Sequence, residues 1–293
     1  MSTAAIPAPR HALIASFARN RLAFFALVLL ASIVVAAVCA PVISLQNPYD
    51  LAQLDILDAK LPPGSHSADG KTYLLGTDEQ GRDMLSAILY GLRISLGVGL
   101  VSTVLALALG MSIGLAAGYA GGWVDALIMR IVDLQLSFPA ILIALVLLAL
   151  LGQGVDKIVI ALITVQWAYY ARTVRGNALV EKRKEYVDAA VCLAYSRWRI
   201  VYRHILPNCL PPLIVVATVQ VAHAIALEAT LSFLGLGMPI TSPSLGLLIS
   251  NGYTHLLSGR YWMSSFPGLA LLLTIMAINL VGDHLRDVLN PRL

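Results

Sequence analysis

Glu185-Tyr186-Val187-Asp188-Ala189-Ala190-Val191-Cys192-Leu193-Ala194-Tyr195, followed by His204-Ile205-Leu206-Pro207-Asn208, is the stretch on which the reading of this chain turns. It lies in a basic segment, Arg172 to Asn208, wedged between two apolar runs. On a period of 3.6 residues, Tyr186, Ala189, Ala190, Leu193 and Arg197 share one helical face, an apolar knob whose small residues let another backbone come close. Asp188 stands near the start of that helix, where the dipole favours an anion. Pro207 is expected to stop the pattern before the next apolar run and to fix its angle of entry. Such a helix either docks onto a partner protein or lies at a membrane surface, held by basic residues against anionic headgroups.

The rest of the chain decides where this loop sits. Of 293 residues, 58% are hydrophobic and 12% charged, with a mean hydropathy of +0.80. A soluble chain of that composition would lack the polar surface to cover its core, so this is an integral membrane protein. A helix crossing a ~30 Å hydrocarbon layer needs roughly 20 apolar residues. Six stretches qualify: Leu22 to Ile43, Ile94 to Ala117, Leu134 to Leu151, Ile158 to Tyr170, Leu210 to Leu234 and Ser265 to Val281. The fourth is short, interrupted by Gln166 and Trp167. With the N-terminus inside, 14 of the 20 Lys and Arg residues fall on the cytoplasmic side, including all those of the basic loop. The fold class expected is therefore all-α, with six transmembrane helices and both termini cytoplasmic. The net charge of +4 follows from this orientation and requires no nucleic-acid partner.

Arg19 and Arg21 precede an apolar run that ends Ala37-Val38-Cys39-Ala40, which has the ingredients of a signal peptide, but the run is too long for an h-region and an uncleaved first span is expected. Cys39, Cys192 and Cys209 suggest neither a disulfide framework nor a metal site. A long outer segment, Ser44 to Arg93, closes on Leu75-Gly76-Thr77-Asp78-Glu79-Gln80-Gly81-Arg82-Asp83-Met84-Leu85-Ser86. Thr77 and Gln80 have capping-box spacing, which predicts a short amphipathic helix ending near Gly91, a brace or a lid at the outer face. Asp78, Glu79 and Asp83 lack the further ligand spacing of a calcium site.

Polar residues inside spans are candidates for a transport path or gate. Gln220, His223 and Glu228 share or neighbour one face of the fifth span, and Asn279 marks the sixth with Asp283. A buried carboxylate such as Glu228 lines a pathway or makes an interhelical hydrogen bond. Gln166 and Trp167 are weaker candidates, the indole serving equally as an interfacial anchor.

Several of these motifs together resemble one family. Leu75 to Asp83, Asp188-Ala189-Ala190 with His204-Ile205-Leu206-Pro207-Asn208, Leu231-Ser232-Phe233-Leu234-Gly235-Leu236-Gly237, Phe266-Pro267-Gly268 and Gly282-Asp283-His284-Leu285-Arg286-Asp287 through Asn290-Pro291-Arg292 are similar, in order, to the second, C-type permease of ABC-type dipeptide, oligopeptide and nickel importers. The resemblance implies a type I importer fold. Residues 1–92 would form the N-terminal tail, first span and outer segment; 93–286 the five-helix transmembrane domain with its coupling loop at 172–208; and 287–293 a cytoplasmic tail. It implies ATPase coupling through Tyr186, Asp188, Ala189, Ala190, Leu193, Ala194, Arg197 and Pro207, and an extracytoplasmic motif at Gly76, Thr77, Asp78, Gly81, Arg82 and Asp83. It also implies a second homologous permease, two ATP-binding subunits and an extracytoplasmic solute-binding protein as partners, beside membrane lipid. The chain departs from the family pattern in having Asp188 for Glu, Ala194 for Gly, and Leu245 for Trp in the Pro-Ser-Trp-Gly turn.

No G-x-x-x-x-G-K-[ST] loop occurs, so ATP and Mg belong to partner ATPase subunits, and no cofactor, metal or catalytic residue is expected on this chain. An ion-coupled secondary transporter would need no docking loop. An intramembrane hydrolase would need a nucleophile beside its base, and Ser232 and His223 lie on opposed sides of a helix. Peptides, nickel chelates, glutathione and opines all remain open as the solute.

Overall fold

The computed structural model describes residues 17, 19–67, 70–239, 241–242 and 244–289. The Asn290-Pro291-Arg292 motif and Arg10 lie outside them. Helix α1, Arg21–Val38, starts at Asn20, whose side chain accepts from the amides of Leu22 and Ala23. It buries Ala23, Ala26 and Ala37 and exposes Leu22, Phe25 and Val35, the pattern of a span with one narrow protein face. A four-residue helix, α2 (Ala40–Ile43), ends the expected first span after a break at Cys39.

The segment from Ser44 to Asp83 is a structured clasp. Strands β1, Ser65–His66, and β2, Thr72–Tyr73, pair antiparallel. Asp58 Oδ2 accepts from Ser67 Oγ at 2.6 Å and from Tyr73 Oη at 2.7 Å. Burial and the bond to Asp58 push the Tyr73 hydroxyl up to about 12. The expected capping box does not form. Thr77 Oγ1 instead donates to Asp58 O at 2.5 Å and accepts from the Leu61 amide at 2.8 Å, because the outer segment folds back onto it. The cap is Asp83, whose carboxylate accepts from the Ser86 amide at 2.8 Å. Helix α3 then runs unbroken from Met84 to Ala120, 37 residues, so no separate short helix ends near Gly91 and the 92/93 boundary falls inside an element. Nor do the three carboxylates of this segment converge: Asp78 pairs with Arg82, Asp83 caps α3, and Glu79 meets His255.

Helices α4, Gly122–Ser137, and α5, Ala140–Leu151, meet at 90° across Phe138-Pro139. Helix α6, Val155–Glu181, is 27 residues long and passes through Gln166 and Trp167 without interruption. Helix α7, Glu185–Cys192, and helix α8, Arg197–Ile200, follow. A π turn at Val201–Ile205 leads directly into α9, Leu206–Phe233. Pro207 therefore does not stop the helix. It stands in the first turn of α9, where its missing N–H is not needed, and the wide turn before it resets the register. Helices α10, Leu245–Tyr253, and α11, Trp262–Leu289, complete the chain. Among the described residues, four helices are long and apolar enough to cross a membrane (α1, α3, the run Arg197–Phe233 and α11), and the bent α4–α5 pair makes a fifth if it is one span.

Helices α3 and α6 form the seam on which the others pack. Gly110, Gly114 and Gly118, spaced at four, turn one face of α3 onto Trp167, Tyr170, Ala171, Val174 and Ala178 of α6. A Cβ on Gly114 would come within 2.5 Å of Ala171 O and one on Gly118 within 3.0 Å of the Ala178 Cβ. Backbone approach this close is the means by which helices associate in lipid, where no hydrophobic force distinguishes a neighbour from an acyl chain. Gly114→Leu is expected to overpack this seam by about 1–3 kcal/mol and lower the melting temperature in detergent. Gly97→Leu, on an open face of the same helix with nothing within 4 Å, serves as the control. Equal melting of the two variants would show that the seam does not govern stability.

Candidate coupling helix and translocation cavity

The loop between α6 and α8 is shorter than the expected 172–208, because α6 continues to Glu181 and helical structure resumes at Arg197. Within it, α7 presents two faces. Val187 and Ala190, 3% exposed each, pack into a core with Leu115, Tyr170, Val174, Ala178, Ile205 and Cys209. The expected shared face of Tyr186, Ala189, Ala190, Leu193 and Arg197 is thus divided, since an eight-residue helix lying on the bundle buries whatever lies beneath it. Ala190 is core and Tyr186 is half-buried, whereas Asp188, Ala189, Val191 and Leu193 form the exposed side, with Arg197 exposed beyond it.

Tyr186 ties the helix to both neighbouring spans. Its hydroxyl donates to Glu181 Oε2 at 2.6 Å, at the end of α6. Asn208 Nδ2, in the first turn of α9, donates to the same hydroxyl at 3.1 Å and to His204 O at 2.8 Å. Burial, then the bond to Glu181, holds the Tyr186 hydroxyl well above the usual phenol range, so it remains a donor. Lys184 Nζ bonds the other Glu181 oxygen at 2.6 Å. Tyr195 stacks on His204 with ring centroids 5.9 Å apart. The two halves of the decisive sequence, Glu185 to Tyr195 and His204 to Asn208, are thereby one unit. Glu181 was not singled out from the sequence, because its role depends on a hydroxyl five residues on that only the loop's fold brings back.

Helix α7 ends in a Schellman turn, with the Tyr195 amide bonded to Ala190 O at 3.2 Å and the Ala194 amide to Val191 O at 2.9 Å. Ala194 takes the left-handed conformation that this turn demands, φ +53°. The end of α9 uses the same device at Gly235, φ +78°, where glycine carries no penalty. The departure from glycine at position 194 is therefore a strained one.

A cavity of about 1310 Å³ lies among α5, α6, α9 and α11. Gln166, Gln220 and His223 supply its polar wall, with Gln166 Nε2 donating to Gln220 O at 3.3 Å and His223 Nδ1 lying 3.3 Å from Gln220 Oε1. Glu181, Lys184, Asp283 and Arg286 also line it, beside the apolar Val165, Val215, Val219 and Leu227. Gln220 and His223 thus face the cavity together, whereas Glu228 and Asn279 are not among its lining. Glu228 is fully buried elsewhere, accepting from Ser95 Oγ and Ser232 Oγ at 2.8 Å each, a hydrogen-bonded link between α3 and α9. Gln166, the weaker candidate from the sequence because it adjoins an indole that could serve as an interfacial anchor, reaches the cavity, and Glu228 does not.

The motif from Gly76 to Asp83 is built into the clasp. Asp78 and Arg82, nearly fully buried, pair at 2.6 Å, and Asp78 Oδ1 also accepts from the amides of Gln80 and Arg82. Gly76 and Gly81 have φ near +80°, and a Cβ on Gly76 would meet Leu61 O at 2.6 Å and Trp262 Nε1 at 2.9 Å. Trp262 Nε1 donates to Thr77 O at 3.1 Å, anchoring the clasp to α11.

Two variants test these local readings. Ala194→Gly is expected to stabilise α7 by up to about 1 kcal/mol, the left-handed penalty of an alanine less the chain entropy of glycine, and to slow hydrogen exchange across residues 185–195; faster exchange would contradict the strain. Arg82→Ala leaves the Asp78 carboxylate buried without its guanidinium and is expected to cost about 3–5 kcal/mol, read as a lower melting temperature.

Comparison with known proteins gives this geometry a family. The model of the binding-protein-dependent transport system inner membrane component matches residues 110–293, and that of the N-terminal TM domain of oligopeptide transport permease C matches 11–63. The dipeptide transport system permease protein DppC of Escherichia coli (strain K12) is 42% identical over 278 residues, covering 94% of this chain and 91% of that one. The di/tripeptide transport system permease protein DppC of Pseudomonas aeruginosa (strain UCBPP-PA14) is 38% identical over 288 residues, covering 98% and 93%. An inward-facing structure of the MetNI methionine ABC transporter superposes with a TM-score of 0.59 at 19% identity, over 70% of this chain and 97% of that chain, which shows the shared fold. Together with the apolar helices, these matches mean that the chain belongs to the multi-pass inner-membrane components of bacterial binding-protein-dependent transport systems, and within them to the C-type permeases.

Proposed function

We infer that this chain is the C-type permease of an ATP-driven importer of short peptides, contributing half of the path across the membrane. One observation carries the reading: Glu181, which lines the cavity, is hydrogen-bonded to Tyr186 of the exposed helix α7. A displacement of α7 by a partner therefore reaches the cavity wall through a single 2.6 Å contact, without passing through a flexible loop. The partners are a homologous permease, two ATP-binding subunits, one of them seated on Asp188, Ala189 and Leu193, and an extracytoplasmic solute-binding protein. ATP and Mg are held by those ATP-binding subunits, since this chain has no phosphate-binding loop. Moving a gate from 1:99 to 99:1 takes about 5.5 kcal/mol of differential binding, which nucleotide-driven closure of the ATPase pair would deliver through the docked helices.

The cavity suits a peptide. Acid and base stand together in its lining as Glu181 with Lys184 and Asp283 with Arg286, a match for the opposite charges of a peptide's two ends, while Gln166, Gln220 and His223 offer neutral partners for the amide between them. The topology that goes with this reading has six spans: α1, α3, the α4–α5 pair, α6, the helix entering α9, and α11. Helix α6 completes the count as a polar-lined span, with both termini and the coupling loop cytoplasmic.

The double variant Ala189→Arg with Leu193→Arg changes only exposed positions. It is expected to insert and fold normally, to lose the ATPase subunits on copurification, and to abolish peptide uptake; retention of both subunits and transport would refute the docking surface. Tyr186→Phe keeps the helix but deletes its bond to Glu181, and uptake per ATP hydrolysed is expected to fall about fivefold, the equivalent of ~1 kcal/mol for one hydrogen bond. A cysteine at Leu57, 85% exposed, should react with an impermeant thiol reagent added to intact spheroplasts. Labelling there only after lysis would invert the topology.

A further inference from the structure

A second groove, of about 700 Å³, lies on the flank of α3 and shares no lining residue with the translocation cavity. Its floor is the exposed face of the last turns of α3, where Ser112, Ala116 and Ala120 recur every fourth residue. One wall is the pair Trp198 and Tyr202, rings stacked at 5.5 Å and 9°. Trp198 is 73% exposed even with Tyr202 stacked on it. Lys182 and Arg197 complete the lining, which contains no acidic residue. Arg197 makes no ion pair among the described residues, and Lys182 uses one of its three donors on Tyr119 O at 2.6 Å.

The groove thus combines an apolar trough cut into the end of a membrane-length helix, an aromatic pair of the kind that marks the membrane interface, and uncompensated positive charge at that level. We propose that it holds an anionic phospholipid of the adjoining leaflet. The headgroup phosphate sits between Lys182 and Arg197, and one acyl chain lies along Ser112, Ala116 and Ala120 against the indole of Trp198. A soluble anion would use the charge and leave the trough empty. A docked protein would be expected to bring carboxylates to the two cations, and the nearest docking surface, the Asp188, Ala189 and Leu193 side of α7, contributes nothing to this lining. Because Lys182 also precedes the loop into Glu185, a bound lipid would brace the segment that carries the coupling helix. The inference does not depend on the solute being a peptide.

The test uses the assembled transporter in nanodiscs of phosphatidylcholine doped with phosphatidylglycerol, with retained lipid counted by native mass spectrometry. Arg197→Gln is expected to lower phosphatidylglycerol retention about fivefold, the effect of removing one cation near a headgroup, and Trp198→Ala to lower it further. Phosphatidylcholine retention should not change, and excess inorganic phosphate should not displace the bound lipid. Both side chains are exposed, so folding is not at stake. Unchanged phosphatidylglycerol retention in the double variant would overturn the proposal, as would displacement by phosphate alone. Loss of a partner subunit from Arg197→Gln with lipid retention intact would make the groove a protein contact and overturn it equally.

Discussion

The structure depends on the closeness of α3 and α6. Gly110, Gly114 and Gly118 let the backbone of one helix rest on that of the other, and in hydrocarbon this van der Waals contact replaces the hydrophobic drive of a soluble core. Both candidate features hang from the seam. Tyr170, Val174 and Ala178 of α6 join Ala106 and Leu115 of α3 in the cluster that receives Val187 and Ala190, so α7 sits on the seam itself. The other end of α6, through Ile158, Ala161, Leu162 and Val165, packs with Ala144, Leu148, Ala224 and Leu231, which positions α5 and α9 around the cavity.

Two carboxylates divide the work of connecting these helices. Glu228 accepts from two serine hydroxyls and is closed off from the cavity, and its hydrogen bond across to α3, worth about 0.6–1.7 kcal/mol in a membrane, offsets part of an insertion cost of about 2.5–3.5 kcal/mol. It holds α3 to α9. Glu181 stands where α6 ends, with Lys184 and Tyr186 as partners and the cavity beside it. One bond joins a long helix to an exposed one, and the other is buried between two packed spans.

Much of the architecture was legible from residue order. The apolar runs located the helices, although α3 and α6 both proved longer than their apolar centres, because Tyr90 at one and Arg175 with Glu181 at the other find protein partners that a hydropathy window cannot see. The capping box at Thr77 and Gln80 failed for a related reason. The spacing was right, but Thr77 was claimed by Asp58 and Leu61 from a segment far back in the chain, leaving Asp83 as the cap. Pro207 was read as a helix stop and is a first-turn proline, a distinction set by the π turn before it.

Residue order alone determined that this is a helical membrane protein with a basic loop carrying a small-residue helix, since composition, apolar run length and charge distribution are local properties of the chain. Its motifs also sufficed to indicate the family. Only the tertiary structure decided which side of that helix is free, that Gln166 and not Glu228 meets the cavity, and that Glu181 ties the two together. Those outcomes rest on how the loop folds back and on which elements pack beside it, so the burial and hydrogen-bond geometry that decide them leave no trace in any local pattern.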